Sequence, residues 1–364
     1  MLGIEVDKKR IFGLDLLRAF AIICVVHGHS AYLLAHTCLA PLSKIPLPPE
    51  VDIFFVLSGY LIGSSFLSYA QKFQKVDRRK TLRFYARSVF RILPNYYVIL
   101  LAYIGLVSTG LVRGDVLRFP IWMFCTFTQN LFTPFYDFYW ESWTLPVQWW
   151  FYILFPLLLT VASMWTNPRK ITPYICLFFI AFSIVYRATV AQFAVDPFWW
   201  DVWLRKTVAS RCDTVYIGVM AAWIKIYAPN LWNRRPVISF IAGLSLMTAY
   251  LFIPKAIGTV YTDLFSLTIS PIAIALCLPF LSQIRSYKTL AGKAISILSV
   301  LSYAMFLTNL LILQFIDVNF ADIFHNIGAW GYGLYWIIVI LASYLLYLII
   351  EKQFIRLRDR WFPN

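Results

Sequence analysis

The 364-residue sequence has little charge for its length: 13% of its residues are Asp, Glu, Lys or Arg, whereas 60% are hydrophobic. Soluble domains rarely have this composition, and the mean hydropathy of +0.70 is typical of chains dominated by membrane-spanning segments. Internal repeats and low-complexity tracts are absent, and the longest polar stretch, near 71–92, is too short for a soluble domain. We therefore predict one membrane domain over residues 1–364.

Metal-ligand patterns are absent as well. The six cysteines are scattered, mostly within apolar runs, and form no C-x-x-C pair. The four histidines, which show no ligand spacing, are His27, His29, His36 and His325. Because protein zinc sites draw on clustered Cys and His ligands, we predict no metal site.

Acidic residues are few, with 17 against 32 basic residues, and the formal net charge is +15. In a soluble protein this surplus would suggest a nucleic-acid partner. Here the basic residues cluster in short loops between apolar runs, as in Lys8-Lys9-Arg10 and Arg234-Arg235. This pattern indicates cytoplasmic loops of a membrane protein, so we predict membrane lipids and no nucleic acid as partners.

Eleven apolar segments recur along the chain. They lie near 12–34, 51–70, 93–112, 119–133, 147–165, 171–193, 213–229, 236–253, 264–284, 295–316 and 330–350. If all of them crossed the membrane, the two basic termini would lie on opposite sides. The segment 119–133 is short, and we assign it as a re-entrant or interfacial element. This predicts an all-α polytopic fold of about ten transmembrane helices, with both termini in the cytoplasm.

The first apolar segment contains two ionisable residues, Arg18 and His29, eleven positions apart. At about 100° per residue they share one helix face, roughly 16 Å apart along the axis. Asp15 lies one turn before Arg18 near the same stripe, whereas His27 falls on the opposite face. Ionisable groups inside the membrane indicate a functional site, although a packed histidine and a plain Asp15–Arg18 salt bridge are the simpler alternatives.

A second basic pattern precedes the third span. Arg83, Arg87 and Arg91 recur every four residues and form one stripe on a helix, which we call the basic stripe. Arginine side chains next to a membrane span often interact with lipid headgroups and set the topology of the chain. The alternative is a phosphate-binding site for a nucleotide-bearing substrate.

Polar residues also begin other predicted spans. Asp52 opens the second span, where Ser58-Gly59 permits close helix approach, and Arg211 opens another. Packing and interfacial anchoring account for both equally well.

The pattern of these residues resembles that of the membrane-bound acyltransferase family 3, the bacterial glycan O-acyltransferases. The family hallmark of Arg, ten residues and His is matched by Arg18 and His29, and a second one by Asp52-Ile-Phe-Phe-Val-Leu-Ser58-Gly59. Further matches follow in family order at Arg91-Ile-Leu-Pro94, Asn130, Ser142-Trp143-Thr-Leu145, Arg211, Ser302-Tyr303 and Ile350-Glu351-Lys352. The substrate contacts that we expect from the matched and neighbouring positions are Asp52, Ser58, Asn130, Glu141, Trp143, Gln148 and Arg211.

Two positions depart from the family pattern. Gln148 stands where the family has a glutamate, and Asn309 stands where a histidine is often found. Some members also carry an extracytoplasmic esterase-like domain. The sequence ends at Asn364, and we expect it to resemble the stand-alone type.

The resemblance implies a transferase of the bacterial inner membrane. It would move an acyl group, most simply acetyl, from cytoplasmic acyl-CoA to a hydroxyl of a cell-surface glycan or lipid-linked sugar. Acyl-CoA would be a donor substrate rather than a tightly bound cofactor, held at the basic stripe. His29 would act as base or acyl carrier, Arg18 would bind the donor or stabilise negative charge on its carbonyl, and Asp15 would orient Arg18.

Two other functions remain as alternatives. A transporter or flippase of lipid-linked saccharides would show Gly/Pro-broken helices in paired halves, and this sequence shows no such symmetry. A catalytically silent acyltransferase-like scaffold is the second alternative, because Gln148 and Asn309 replace ionisable residues. A homo-oligomer is compatible with the sequence.

Overall fold

The computed structural model describes residues 10–287 and 289–362, and every regular element in these ranges is helical. The helices are α1 Phe12–Ser30, α2 Glu50–Phe73, α3 Arg78–Ser108, α4 Ile121–Thr126, α5 Thr144–Ala162, α6 Pro168–Val190, α7 Pro197–Trp200, α8 Val208–Tyr227, α9 Pro229–Arg234, α10 Pro236–Phe252, α11 Ser266–Leu281, α12 Leu290–Asn319, α13 Ala321–Asn326, α14 Ala329–Leu346 and α15 Lys352–Trp361. Lys8, Lys9, Asn364 and the side chain of His325 lie outside the described parts.

Within the described ranges, eight helical segments are long and apolar enough to cross a membrane. They are Phe12–Leu34, Glu50–Phe73, Arg78–Ser108, Trp140–Ala162, Pro168–Phe193, Tyr261–Leu281, Leu290–Asn319 and Ala329–Trp361. The prediction of an all-α polytopic membrane protein is confirmed. The other two predicted spans coincide with α8, which carries Arg211, Asp213 and Lys225, and with the 17-residue α10. The count of ten stays a prediction.

The predicted element at 119–133 contains only the six-residue α4. It lies in the long segment between α3 and α5, where Tyr96 and Tyr97 of α3 donate hydrogen bonds to the carbonyls of Phe124 and Cys125 at 2.9 and 2.8 Å. The segment is therefore fixed to the helical bundle beside α3.

The segments that connect the long helices form two faces of the bundle. We call them loops, although some contain the short helices α4, α7, α9 and α13. One face, which we call the basic face, consists of the loops 74–77, 163–167, 228–235 and 282–287 together with α15. The amide of Gly13 bonds to the carbonyl of Ile284 at 2.9 Å there. The other face, which we call the aromatic face, consists of the loops 31–49, 109–139, 191–207, 253–260 and 320–328. There, Asn319 donates to the carbonyl of Leu111 at 2.9 Å.

Helices α2 and α8 pack closely through two glycines. A Cβ at Gly59 would fall on the carbonyl oxygen of Val215, and a Cβ at Gly218 on that of Val56. The contact is therefore reciprocal, and it brings two backbones together as small residues allow in membrane helices. The close approach predicted at Ser58-Gly59 is present.

We expect Gly59→Ala to lower the free energy of unfolding by about 1–3 kcal/mol, because the added methyl group forces α2 and α8 apart. Gly105→Ala on α3 is the matched control, since a Cβ there meets no atom within 4 Å, and its stability should be unchanged or slightly raised. Denaturant titrations of the two purified variants provide the measurement. Equal losses in both would contradict the close contact.

Candidate active site

A cavity of about 800 Å³ lies among α1, α2, α3, α5, α12 and α15. Lys352, Arg356 and Arg358 line one end, and the exposure of Arg356 shows that this end reaches the basic face. Val51 and Thr144, from the first turns of α2 and α5, line the other end. The lining residues of α2, from Val51 to Ile62, cover the first half of that helix.

Asp15 and Arg18 form the predicted pair beside this cavity. The carboxylate of Asp15 accepts hydrogen bonds from Arg18 at 3.0 Å, from Arg10 at 2.5 Å and from Ser299 at 3.0 Å. Asp15 is 1% exposed, whereas Arg10 and Arg18 both line the cavity. One buried carboxylate thus positions two guanidinium groups at the cavity wall.

His29 lies at the other end of α1. Its Nδ1 is 2.6 Å from Oδ1 of Asn309 on α12. His27 has different partners, the hydroxyl of Tyr332 at 2.9 Å and the carbonyl of Leu42 at 3.2 Å. The two histidines therefore face different surroundings, as their spacing predicts. His29 does not line the cavity, but Phe306, three residues before Asn309 on α12, does.

Only part of the basic stripe reaches the cavity. Arg91 lines it, while Arg87 is paired at 3.8 Å with Asp359, another lining residue. Arg83 is exposed two turns earlier on α3 and is not among the lining residues. The structure therefore brings one end of the stripe to the cavity.

Two predicted substrate residues, Ser58 and Gln148, also line the cavity. The hydroxyl of Tyr152 lies between them, 3.5 Å from Oγ of Ser58 and 3.4 Å from Oε1 of Gln148. This row of neutral polar groups follows the charged groups toward the aromatic face.

Asp52 and Arg211 lie away from the cavity, in a buried ion pair between α2 and α8. Arg211 also donates to the carbonyl of Leu267 at 3.2 Å. A second buried pair, Arg187 with Asp213 at 2.7 Å, lies between α6 and α8. These charges fix helices to one another.

The predicted residues Asn130, Glu141 and Trp143 are buried near the aromatic face and contact the protein itself. Asn130 donates to the carbonyls of Trp143 at 2.8 Å and of Lys206 at 2.7 Å. Glu141 accepts from the hydroxyl of Tyr103 at 2.7 Å. Asn130 thus holds the segment before α5 against the segment before α8, and Glu141 holds it against α3.

A charged cluster between α7 and α8, which sequence reasoning did not identify, lies close to His29. Asp201 pairs with Arg205 and, at 2.5 Å, with Lys206. Burial and the neighbouring Arg205 lower the pKa of Lys206 to about 8, against the opposing effect of Asp201. The ammonium group also lies 4.1 Å from the ring centre of Trp140.

Sequence reasoning also missed the contribution of α15 to the cavity. Lys352 and Arg356 are four residues apart, the same signal that identified the basic stripe, but a basic C-terminal segment is equally well explained by topology. No group of three or more His, Cys, Asp or Glu capable of holding a metal occurs among the described residues.

Residues 11–352 match the family model of the acyltransferase domain. The chain belongs to this acyltransferase family. The resemblance predicted from Arg18, His29 and the later motifs is thereby confirmed.

Two bacterial relatives illustrate the similarity. The O-acetyltransferase OatA of Staphylococcus aureus is 27% identical over 330 residues, which cover 84% of this chain and 51% of the relative. The peptidoglycan O-acetyltransferase OatA of Listeria monocytogenes is 27% identical over 204 residues, 52% of this chain and 31% of the relative. This chain thus spans about half the length of the Staphylococcus relative. No solved structure matches this chain.

Proposed function

We propose that the protein is an inner-membrane O-acyltransferase that moves an acyl group, most simply acetyl, from cytoplasmic acyl-CoA to a hydroxyl of a cell-wall glycan such as peptidoglycan. The observation that carries the proposal is the cavity, which has a basic mouth and is lined by Phe306, one helical turn before the Asn309 that bonds to His29. Family membership and the names of the relatives support the reaction class.

The donor would enter from the basic face, which the positive-inside rule assigns to the cytoplasm. Acyl-CoA combines phosphate groups with a long, flexible arm that ends in a thioester. Arg91, Lys352 and Arg356 at the mouth suit the phosphates. Ser58 and Gln148, farther along the cavity, would contact the arm.

The acceptor would approach His29 from the aromatic face. In the proposed reaction the acceptor hydroxyl gives its proton to His29 while its oxygen bonds to the thioester carbon. The carbon–sulfur bond then breaks, and the CoA thiolate leaves and recovers the proton. Arg18, about 16 Å from His29 along α1, would contact the donor in the cavity, and Asp15 would keep the guanidinium of Arg18 in place. Attack by His29 itself would instead give an acyl-histidine carrier.

The decisive experiment measures thioester consumption by the purified protein in proteoliposomes supplied with radiolabelled acetyl-CoA and peptidoglycan glycan strands. We expect free thiol to appear together with labelled glycan. CoA binding without thiol release would support the silent scaffold instead. Movement of a lipid-linked saccharide across the bilayer without thioester cleavage would support the transporter.

We expect Arg91→Gln to raise the KM for acetyl-CoA roughly tenfold or more, because it removes a charge-assisted contact with a phosphate. Arg83→Gln is the matched control, since it removes the same charge from the same helix outside the cavity. Calorimetric titration of both variants with CoA provides the measurement. Equal affinities in the two variants would contradict a phosphate site centred on Arg91.

A further inference from the structure

The amide group of Asn309 has a fixed orientation. Its nitrogen donates to the carbonyl of Met305 at 2.9 Å and to the carbonyl of Phe306 at 2.7 Å. A reversed amide would place its oxygen against these two carbonyl oxygens, which cannot donate. The amide oxygen of Asn309 therefore faces the imidazole of His29.

This orientation determines which nitrogen of His29 carries the proton. Oδ1 of Asn309 can only accept, and it lies 2.6 Å from Nδ1 of His29, so Nδ1 must be the donor. In the neutral ring the other nitrogen, Nε2, then has a free electron pair. A general base needs such a nitrogen.

We infer that Asn309 is a positioning residue that holds His29 as the Nδ1-protonated tautomer and thereby presents Nε2 as the base. The inference rests on the proposed function. Asn309 is fully buried, and its own carbonyl accepts from the hydroxyl of Tyr335 on α14 at 3.1 Å. Contacts within α12 and from α14 therefore hold in place the residue that orients His29.

The neutral amide also affects the charge of the ring. A carboxylate at position 309 would stabilise the imidazolium form as an ion pair, whereas the amide of Asn309 provides no such partner. Arg205 and Lys206, each paired with Asp201, are charged groups that act on His29, and Glu50 of α2 lies near Arg205. In the neutral ring, Nε2 is then ready to accept the proton of the acceptor hydroxyl.

The test compares kcat–pH profiles for acetyl-CoA turnover. Asn309→Asp keeps the acceptor oxygen but places its second oxygen against the carbonyls of Met305 and Phe306. Where this carboxyl is ionised, we expect the acid limb of the profile to move to higher pH by about one unit or more. Asn309→Leu removes the acceptor, and we expect kcat to fall roughly 10- to 100-fold with the KM for the donor unchanged. Thr308→Val removes a neighbouring buried hydrogen bond, with Ser343, and should leave the acid limb in place.

A direct measurement is ¹⁵N solid-state NMR of histidine-labelled protein in bilayers, with the His29 signals assigned from a His29→Gln sample. We expect a protonated Nδ1 and an unprotonated Nε2. A protonated Nε2, or an Asn309→Leu variant with the kcat of the wild type, would overturn the inference. If Asn309→Leu does not fold, the NMR spectrum of the wild type still decides. Absence of thioester consumption by the wild type would count against the proposed function, while the NMR result would still report the tautomer.

Discussion

Replacing His29 by alanine is expected to reduce acetyl transfer from acetyl-CoA by roughly 10²- to 10⁴-fold, the range that general acid–base catalysis provides. The loss should appear in kcat. His29 does not line the cavity proposed for the donor, so donor binding should be unchanged. Single-turnover transfer of radiolabelled acetyl to glycan, together with CoA titration, measures both quantities.

His27→Ala is the matched control for this experiment. It removes an imidazole from the same turn of the same helix, but one that is bonded to Tyr332 and to the carbonyl of Leu42 on the aromatic face. We expect its kcat to stay within a few-fold of the wild type, roughly the effect of losing one hydrogen bond. Equal losses in the two variants would remove the special role of His29.

The features that the sequence predicts correctly are those set by spacing within one helix. Asp15 and Arg18 are three residues apart, so their contact follows from helical geometry alone. The same periodicity separates His27 from His29. Apolar runs similarly predict most of the helices, because burial of backbone hydrogen bonds in a bilayer permits little other than helices.

The features that the sequence does not predict depend on contacts between distant helices. His29 and Asn309 are 280 positions apart, and no periodicity relates α1 to α12. Asp52 and Arg211 illustrate the same limit, since each resembles an interfacial anchor alone but they form a buried pair once α2 packs on α8. The cavity itself arises only when α15 returns to α3, which places Arg356 and Arg91 along one wall.

Replacing Arg18 by glutamine is expected to lower kcat/KM for acetyl-CoA by roughly 10- to 100-fold, the effect of losing one charge-assisted hydrogen bond to the donor. The fold should tolerate this change, because Asp15 keeps hydrogen bonds from Arg10 and Ser299. Arg18→Lys should retain more activity than Arg18→Gln, since lysine keeps the positive charge although it lacks the planar guanidinium group with its several donors. Steady-state kinetics of the two variants test this order.

Asp15→Asn separates the orientation of Arg18 from its presence. The change leaves Arg10 and Arg18 close together without their shared carboxylate. Because both guanidinium groups are partly exposed to the cavity, we expect a cost below the about 3–5 kcal/mol of a fully buried pair. We therefore expect a loss of both stability and kcat/KM, whereas Arg18→Gln should lose kcat/KM with little change in the free energy of unfolding. If Arg18→Gln turns over acetyl-CoA as fast as the wild type, Arg18 serves only as the ion-pair partner of Asp15. In that case donor binding depends on another group along the cavity, and Arg10, which lines the same wall, becomes the next residue to replace.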